Sequence, residues 1–187
     1  MGEFEYISVL LSIIIGLGIT QLLSGIARLV RDGRALAPAW WIMVMVATLM
    51  LAHFQVWWVS FQWRHVAPWT FFSYVAFMVL PMLIFLLAYL VLPADLRLDG
   101  GELAREFLDR RKPFYAIMAL VPLASFFQEW MLTGRLTFGI DVDIRMLWLV
   151  LAVPGFLSRR VSIQAMLAVT YLAVFVVYVC LLFVRLR

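Results

Sequence analysis

The sequence contains no asparagine, one lysine (Lys112), one cysteine (Cys180) and only 14% charged residues. Each scarcity excludes something. A lone cysteine cannot close an intramolecular disulfide, so neither a disulfide scaffold nor paired-thiol redox chemistry is available. Without asparagine there is no acceptor for N-glycosylation. The single lysine stands in a polar stretch, which leaves none inside an apolar run to carry a retinal Schiff base. Soluble domains are about 25% charged and roughly 45–50% apolar. This chain is 66% hydrophobic, more than a 187-residue globule can hide from water. The same composition excludes disorder and a collagen-like fibre. The basic residues are otherwise all arginine, a coding bias that points to a bacterial source.

What is present is a series of long apolar runs. Each transmembrane helix needs about 20 residues to cross the hydrocarbon, and the runs place helices at Ile7–Val30, Trp40–Trp63, Trp69–Leu92, Phe114–Leu132, Arg145–Leu157 and Val161–Val184. None shows the period-two alternation of barrel strands. The expected fold is therefore all-α, one integral membrane domain over residues 1–187: a polytopic bundle of six spans. Only 15 residues separate Asp143 from Arg159, about 22 Å of helix, so the fifth helix could be re-entrant and leave five spans. Pro38, Pro68 and Pro113 are read at helix starts, and Pro93 at the end of the third helix. The acidic first residues, with Glu3 and Glu5, do not form the basic start of a cleavable signal peptide, so the first helix is expected to stay in the membrane.

Arginine and lysine fall mostly on one side. The stretches after helices 1, 3 and 5 carry Arg28, Arg31, Arg34, Arg97, Arg105, Arg110, Arg111, Lys112, Arg159 and Arg160, against Arg64, Arg135, Arg145, Arg185 and Arg187 elsewhere. The positive-inside rule then puts the N-terminus outside and loop 93–112 in the cytoplasm, in an inner membrane. Within that loop, residues 101–111 predict a short amphipathic helix on the cytoplasmic leaflet. Leu103 and Phe107 share a face there, and Glu106 pairs with Arg110.

Intramembrane polar residues are the candidates for function. In helix 1, Ser8, Ser12, Gly16, Thr20 and Ser24 recur every four residues, with Gln21 beside them. Such a stripe is either a packing seam or a hydroxyl-lined path. In helix 2, Thr48, Gln55 and Gln62 recur every seven residues, while His53 and Ser60 lie roughly opposite. Gln164, Tyr171 and Tyr178 form a similar stripe in helix 6. His53 is either a titrating relay or a neutral ring bonded to a neighbour. Trp57 and Trp58, deeper than belt tryptophans, suggest an aromatic pocket on helices 2 and 3. Pro81, Pro122 and Pro154 lie inside helices and predict kinks around a cavity. Glu129 is read as solvated, and Asp141, Asp143 and Arg145 as a charge cluster on the outer surface.

No phosphate loop, metal-ligand set, nucleophile elbow or deep carboxylate pair is present. The expected protein is therefore non-enzymatic, without cofactor or metal: an oligomeric channel or small-solute path lined by Ser12, Thr20, Gln21, His53, Gln55, Gln62, Gln164 and Tyr171. The alternative is a membrane-embedded sensor or accessory subunit that binds a lipophilic ligand or partner helices through Trp57 and Trp58. The expected partners are the lipid bilayer, further copies of the chain as a homo-oligomer, and a small ion or lipophilic ligand, with no nucleic acid.

Overall fold

The computed structural model describes residues 2–31, 37–66, 68–92, 100–136 and 138–182, and among them the chain is helical, without strands. Six α-helices follow one another: α1 (Glu3–Arg31), α2 (Trp40–Ser60), α3 (Phe71–Val91), α4 (Gly100–Thr133), α5 (Ile140–Leu157) and α6 (Val161–Leu182). Short 3-10 turns at Ala37–Ala39 and Phe61–His65 flank α2. Five helices are long and apolar enough to span a membrane: α1, α2 with its flanking turns, α3, α4 and α6. In α5, Asp141, Asp143 and Arg145 crowd the first turns.

Local chemistry sets several helix ends. Thr70 opens α3 with a capping box: its hydroxyl accepts the Ser73 N–H at 3.1 Å, and the Ser73 hydroxyl accepts the Thr70 N–H at 2.9 Å. The Trp69 N–H beside it donates to Glu3 at 3.1 Å, tying the start of α1 to the start of α3. At the end of α4, Gly134 adopts φ 68° and its N–H returns to the Trp130 carbonyl at 2.8 Å. That left-handed conformation suits glycine and stops the helix.

The helices pack as a ring in the order α2, α3, α4, α5, α6 and back to α2, with α1 outside against α2 and α3. The contacts of α5 settle its course. Arg145 meets Glu129 near the end of α4, while Gly155 lies against Tyr115, fourteen residues earlier in that helix. α5 thus runs antiparallel to α4 from one end of the ring to the other and does not turn back. α6 then returns, pairing Gln164 with Gly155 and Tyr178 with Asp141. The starts of α1 and α3 and the close of α4 share one end, called here the Glu3 end. The Arg111 end holds the start of α4 and the close of α3.

The main core sits toward the Arg111 end. Trp41, Phe107, Phe114 and Tyr115 are all at most 3% exposed. Their rings meet edge to face: Trp41 and Phe107 centroids are 5.0 Å apart, Phe107 and Phe114 5.1 Å. This packing changes the reading of residues 101–111. They are helical, and Glu106 does pair with Arg110 at 2.5 Å, but they form the first third of α4. The Leu103–Phe107 face is buried against the bundle, so it does not lie on the leaflet. Pro113, expected at a helix start, lies within α4. The ring removes one backbone hydrogen bond, to the Asp109 carbonyl, and burial of Phe107 and Phe114 on both sides of it outweighs that loss. The Pro93 helix stop lies outside the described residues, as do Arg34, Arg97, Arg185 and Arg187 of the charge census.

Candidate functional site: a one-ended cavity inside the helix ring

The ring of helices encloses a cavity of about 890 Å³ that reaches from mid-bundle to the Glu3 end. Its floor and walls are apolar: Leu49, Leu80, Ile84, Leu87, Met118 and Val121. Two of the predicted proline kinks, Pro81 of α3 and Pro122 of α4, line it. Each lacks the N–H that would reach back to the Phe77 or Met118 carbonyl respectively. Leu11 of α1, 1% exposed, also reaches the lining between α2 and α3. Below the floor, the Trp41–Phe107–Tyr115 core fills the Arg111 end.

Toward the Glu3 end the lining turns polar. The Arg145 guanidinium donates to Glu129 at 2.8 Å, also pairs with Asp141, and stacks over the Phe126 ring at 5.0 Å. The Tyr178 hydroxyl donates to Asp141 at 2.8 Å. These contacts bind α4, α5 and α6 together around the opening. Glu129 is 7% exposed. Glu129 was expected to be solvated, and Asp141 and Arg145 to form a cluster on the outer surface. Instead, Glu129 and Arg145 form a largely buried ion pair, because the turn after α4 brings α5 back along it. Asp143 alone remains exposed.

Uncharged polar groups complete the mouth: Gln55 from α2, Gln62 from the 3-10 turn that follows it, Ser125 and Gln128 from α4. None has a hydrogen-bond partner among the described residues, and the Gln128 amide oxygen is buried as well as unpaired. Three of the chain's five glutamines therefore border one cavity.

Of the eight residues expected to line a path, Gln55 and Gln62 border the cavity, joined by Ser60 of the opposite helix-2 stripe and Tyr178 of the helix-6 stripe. The seven-residue spacing of Gln55 and Gln62 did mark a shared face, although Thr48, the third of that stripe, is buried and donates to its own helix at Val44. Ser12 and Thr20 face outward from α1, and Gln21 is half-buried beside the ring. The stripe α1 buries is another one, Ile7, Leu11, Ile15, Gly18, Leu22, Gly25 and Leu29. His53 is turned toward α1 and packs on Gly18. Gln164 is fully buried between helices: it accepts from the Tyr115 hydroxyl at 2.6 Å and donates to the Gly155 and Ser158 carbonyls at 3.1 and 2.8 Å. Tyr171 donates to the Trp148 carbonyl at 3.2 Å. Gln164 closes the end of α5, where the helix terminus leaves carbonyls without helical partners, while Tyr171 bonds a carbonyl in the middle of that helix. Trp57 and Trp58 are 47% and 41% exposed on the outer surface and do not line this cavity. Within one chain, then, the expected path-lining residues do not converge.

Ser125, Gln128, Glu129, Asp141 and Arg145 were not singled out for the site, and Tyr178 only as a member of the helix-6 stripe. A signal for part of it exists: Pro122, Ser125 and Gln128–Glu129 fall at i, i+3 and i+6/i+7 on one face of α4. Among the described residues, no cluster of histidine, cysteine and carboxylates could hold a metal ion.

No protein-family model, curated protein or solved structure matches the chain.

Proposed function

We propose that this protein binds a lipid-like amphiphile inside the membrane, its tail against Leu80, Ile84 and Met118 and its polar head among the side chains at the Glu3 end. The observation that carries this reading is the cavity itself: one-ended, apolar in its depth and polar at its mouth. Its volume is in the range of sites that bury most of a drug-sized ligand. Such a chain acts as a sensor or accessory subunit and needs no catalytic group. On this reading the protein lies in a bacterial inner membrane with the Arg111 end in the cytoplasm. The support is charge: Arg28, Arg31, Arg105, Arg110, Arg111, Lys112, Arg159 and Arg160 gather there, against Arg64, Arg135 and Arg145 at the other end.

A second reading, an ion or solute path along the axis of a homo-oligomer, draws on the outward face of α1, where Ser12, Gly16 and Thr20 are exposed.

The test compares lipids retained by the purified wild type with those retained by a Leu80→Trp variant, in which an indole fills the cavity. Mass spectrometry of organic extracts is expected to find one amphiphile enriched over the bulk membrane in wild type and depleted at least tenfold in the variant. Identical extracts from the two proteins, with Leu80→Trp folded, would overturn the binding reading. Flux of monovalent ions or protons above that of empty liposomes would support the channel instead.

A further inference from the structure

The cavity mouth is hydrogen-bonding in both directions and electrically balanced. Its two carboxylates, Glu129 and Asp141, face two guanidiniums, Arg145 and Arg135. Arg145 is held between the two carboxylates, and Arg135 lies in the exposed turn after α4. Arg145 keeps one N–H, at Nε, without a partner, but its charge is already matched by two carboxylates and Arg135 stands in the exposed turn, so an ionic head drawn down between the glutamines would lose hydration without an uncommitted buried counter-charge. Beside the Arg145 Nε, the buried and half-buried side chains that the mouth leaves without a partner are uncharged: the amides of Gln55, Gln62 and Gln128 and the hydroxyl of Ser125. Each amide carries N–H donors and a carbonyl acceptor, and the hydroxyl does both. An anion can use only the donors and would crowd its charge against the amide oxygens. A hydroxyl uses both. In a chain with no asparagine, three of five glutamines standing around one cavity is a concentration of this chemistry.

Resting on the amphiphile-binding reading above, we infer that the ligand's head is uncharged and rich in hydroxyl groups, of the kind a glycerol ester or a long-chain polyol presents. The head sits between α2 and α4, with Gln55 and Gln62 on one side and Ser125 and Gln128 on the other, and the Glu129–Arg145–Asp141 network holds the mouth around it without contributing net charge.

The experiment uses the purified full chain in an uncharged detergent and three radiolabelled probes that share one oleoyl tail: mono-oleoylglycerol, oleate, and oleoyl lysophosphatidylglycerol. Mono-oleoylglycerol is expected to bind at least tenfold more tightly than either anionic probe. Gln55→Leu and Gln128→Leu, which conserve bulk, are each expected to weaken it about three- to tenfold, the worth of a typical hydrogen bond, and to leave oleate unchanged. Equal binding of all three probes, abolished by Leu80→Trp, would overturn the head-group inference while leaving the cavity reading intact. Preference for an anionic probe would do the same. Absence of saturable binding by any probe, from a protein whose unfolding remains cooperative, would overturn both.

Discussion

A Cβ atom on Gly18 of α1 would stand 2.0 Å from Nε2 of His53 in α2. The imidazole fills the space that any other residue at position 18 would require. His53 is 1% exposed, and its Nδ1 lies 2.7 Å from the Leu49 carbonyl oxygen. A carbonyl only accepts, so Nδ1 carries the proton and Nε2 faces α1 as an unpaired acceptor. Gly18→Ala is expected to destabilise the bundle by about 1–3 kcal/mol through overpacking. His53→Ala in the same chain is expected to recover part of that loss, because the two residues share one space. Reversible unfolding in mixed micelles measures both. A Gly18→Ala protein as stable as wild type would show that the helices part at no cost.

Gln164 joins three helices through one amide. Replacing it with leucine leaves the Tyr115 hydroxyl and the Gly155 and Ser158 carbonyls without it. The expected loss is about 2 kcal/mol, at the modest level of hydrogen bonds measured in membranes plus the penalty of stranded polar groups. Gln164→Glu should recover little, since it retains the acceptor for Tyr115 and loses both donors. A thermal melt resolves the two variants.

Arg145 is the single cation between two carboxylates at the cavity mouth. Arg145→Met leaves Glu129 and Asp141 facing each other across a largely buried space. The expected cost is about 3–5 kcal/mol, as for other buried pairs broken on one side. Adding Glu129→Gln to that variant should recover part of the loss by removing one of the unpaired charges. If Arg145→Met melts with wild type, the network does not hold α4, α5 and α6 together.

Phe107 distinguishes a long α4 from a separate helix lying on the membrane surface. It is 3% exposed and packs on Trp41 and Phe114. Phe107→Ala is expected to cost about 3–5 kcal/mol, as for a large core side chain. A surface helix would lose membrane contact and little else, so near-wild-type stability would contradict the packing of residues 101–111 in the core.

The proposed orientation is read by cysteine labelling. In a Cys180→Ser background, a cysteine at Arg135 is expected to react with an impermeant maleimide in intact spheroplasts, and one at Arg110 only after permeabilisation. The opposite pattern would invert the bundle.

The spans were legible because lipid imposes a simple rule: an apolar stretch of sufficient length must close its own backbone hydrogen bonds, and here it does so as a helix. The fifth helix shows the limit of that rule. Its charges and short apolar run left its course open, and only its pairing with α4 carries it from end to end of the ring. Pro113 shows a local preference overridden, since the burial of Phe107 and Phe114 holds α4 together across it. For polar residues the difficulty is greater. Hydropathy marks His53, Gln55, Gln164 and Tyr171 alike as exceptions in an apolar run. His53 meets a glycine, Gln164 and Tyr171 meet backbone carbonyls, and only Gln55 reaches the cavity. The Glu129–Arg145 pair lies 16 residues apart in sequence and on two helices, so no helical spacing announces it.

By itself, the sequence determined the solvent, the all-helical class, the bounds of α1, α2, α3 and α6 to within a few residues, and the prolines inside helices. These follow from composition and local periodicity, and they hold whatever the helices touch. The tertiary structure decided which side of each helix is inside. Lipid tails and neighbouring helices are equally apolar, so hydrophobicity cannot distinguish a face toward lipid from a face toward protein. That choice rests on close fits such as Gly18 against His53, and on polar pairs such as Arg145 with Glu129, which exist only once the helices are side by side.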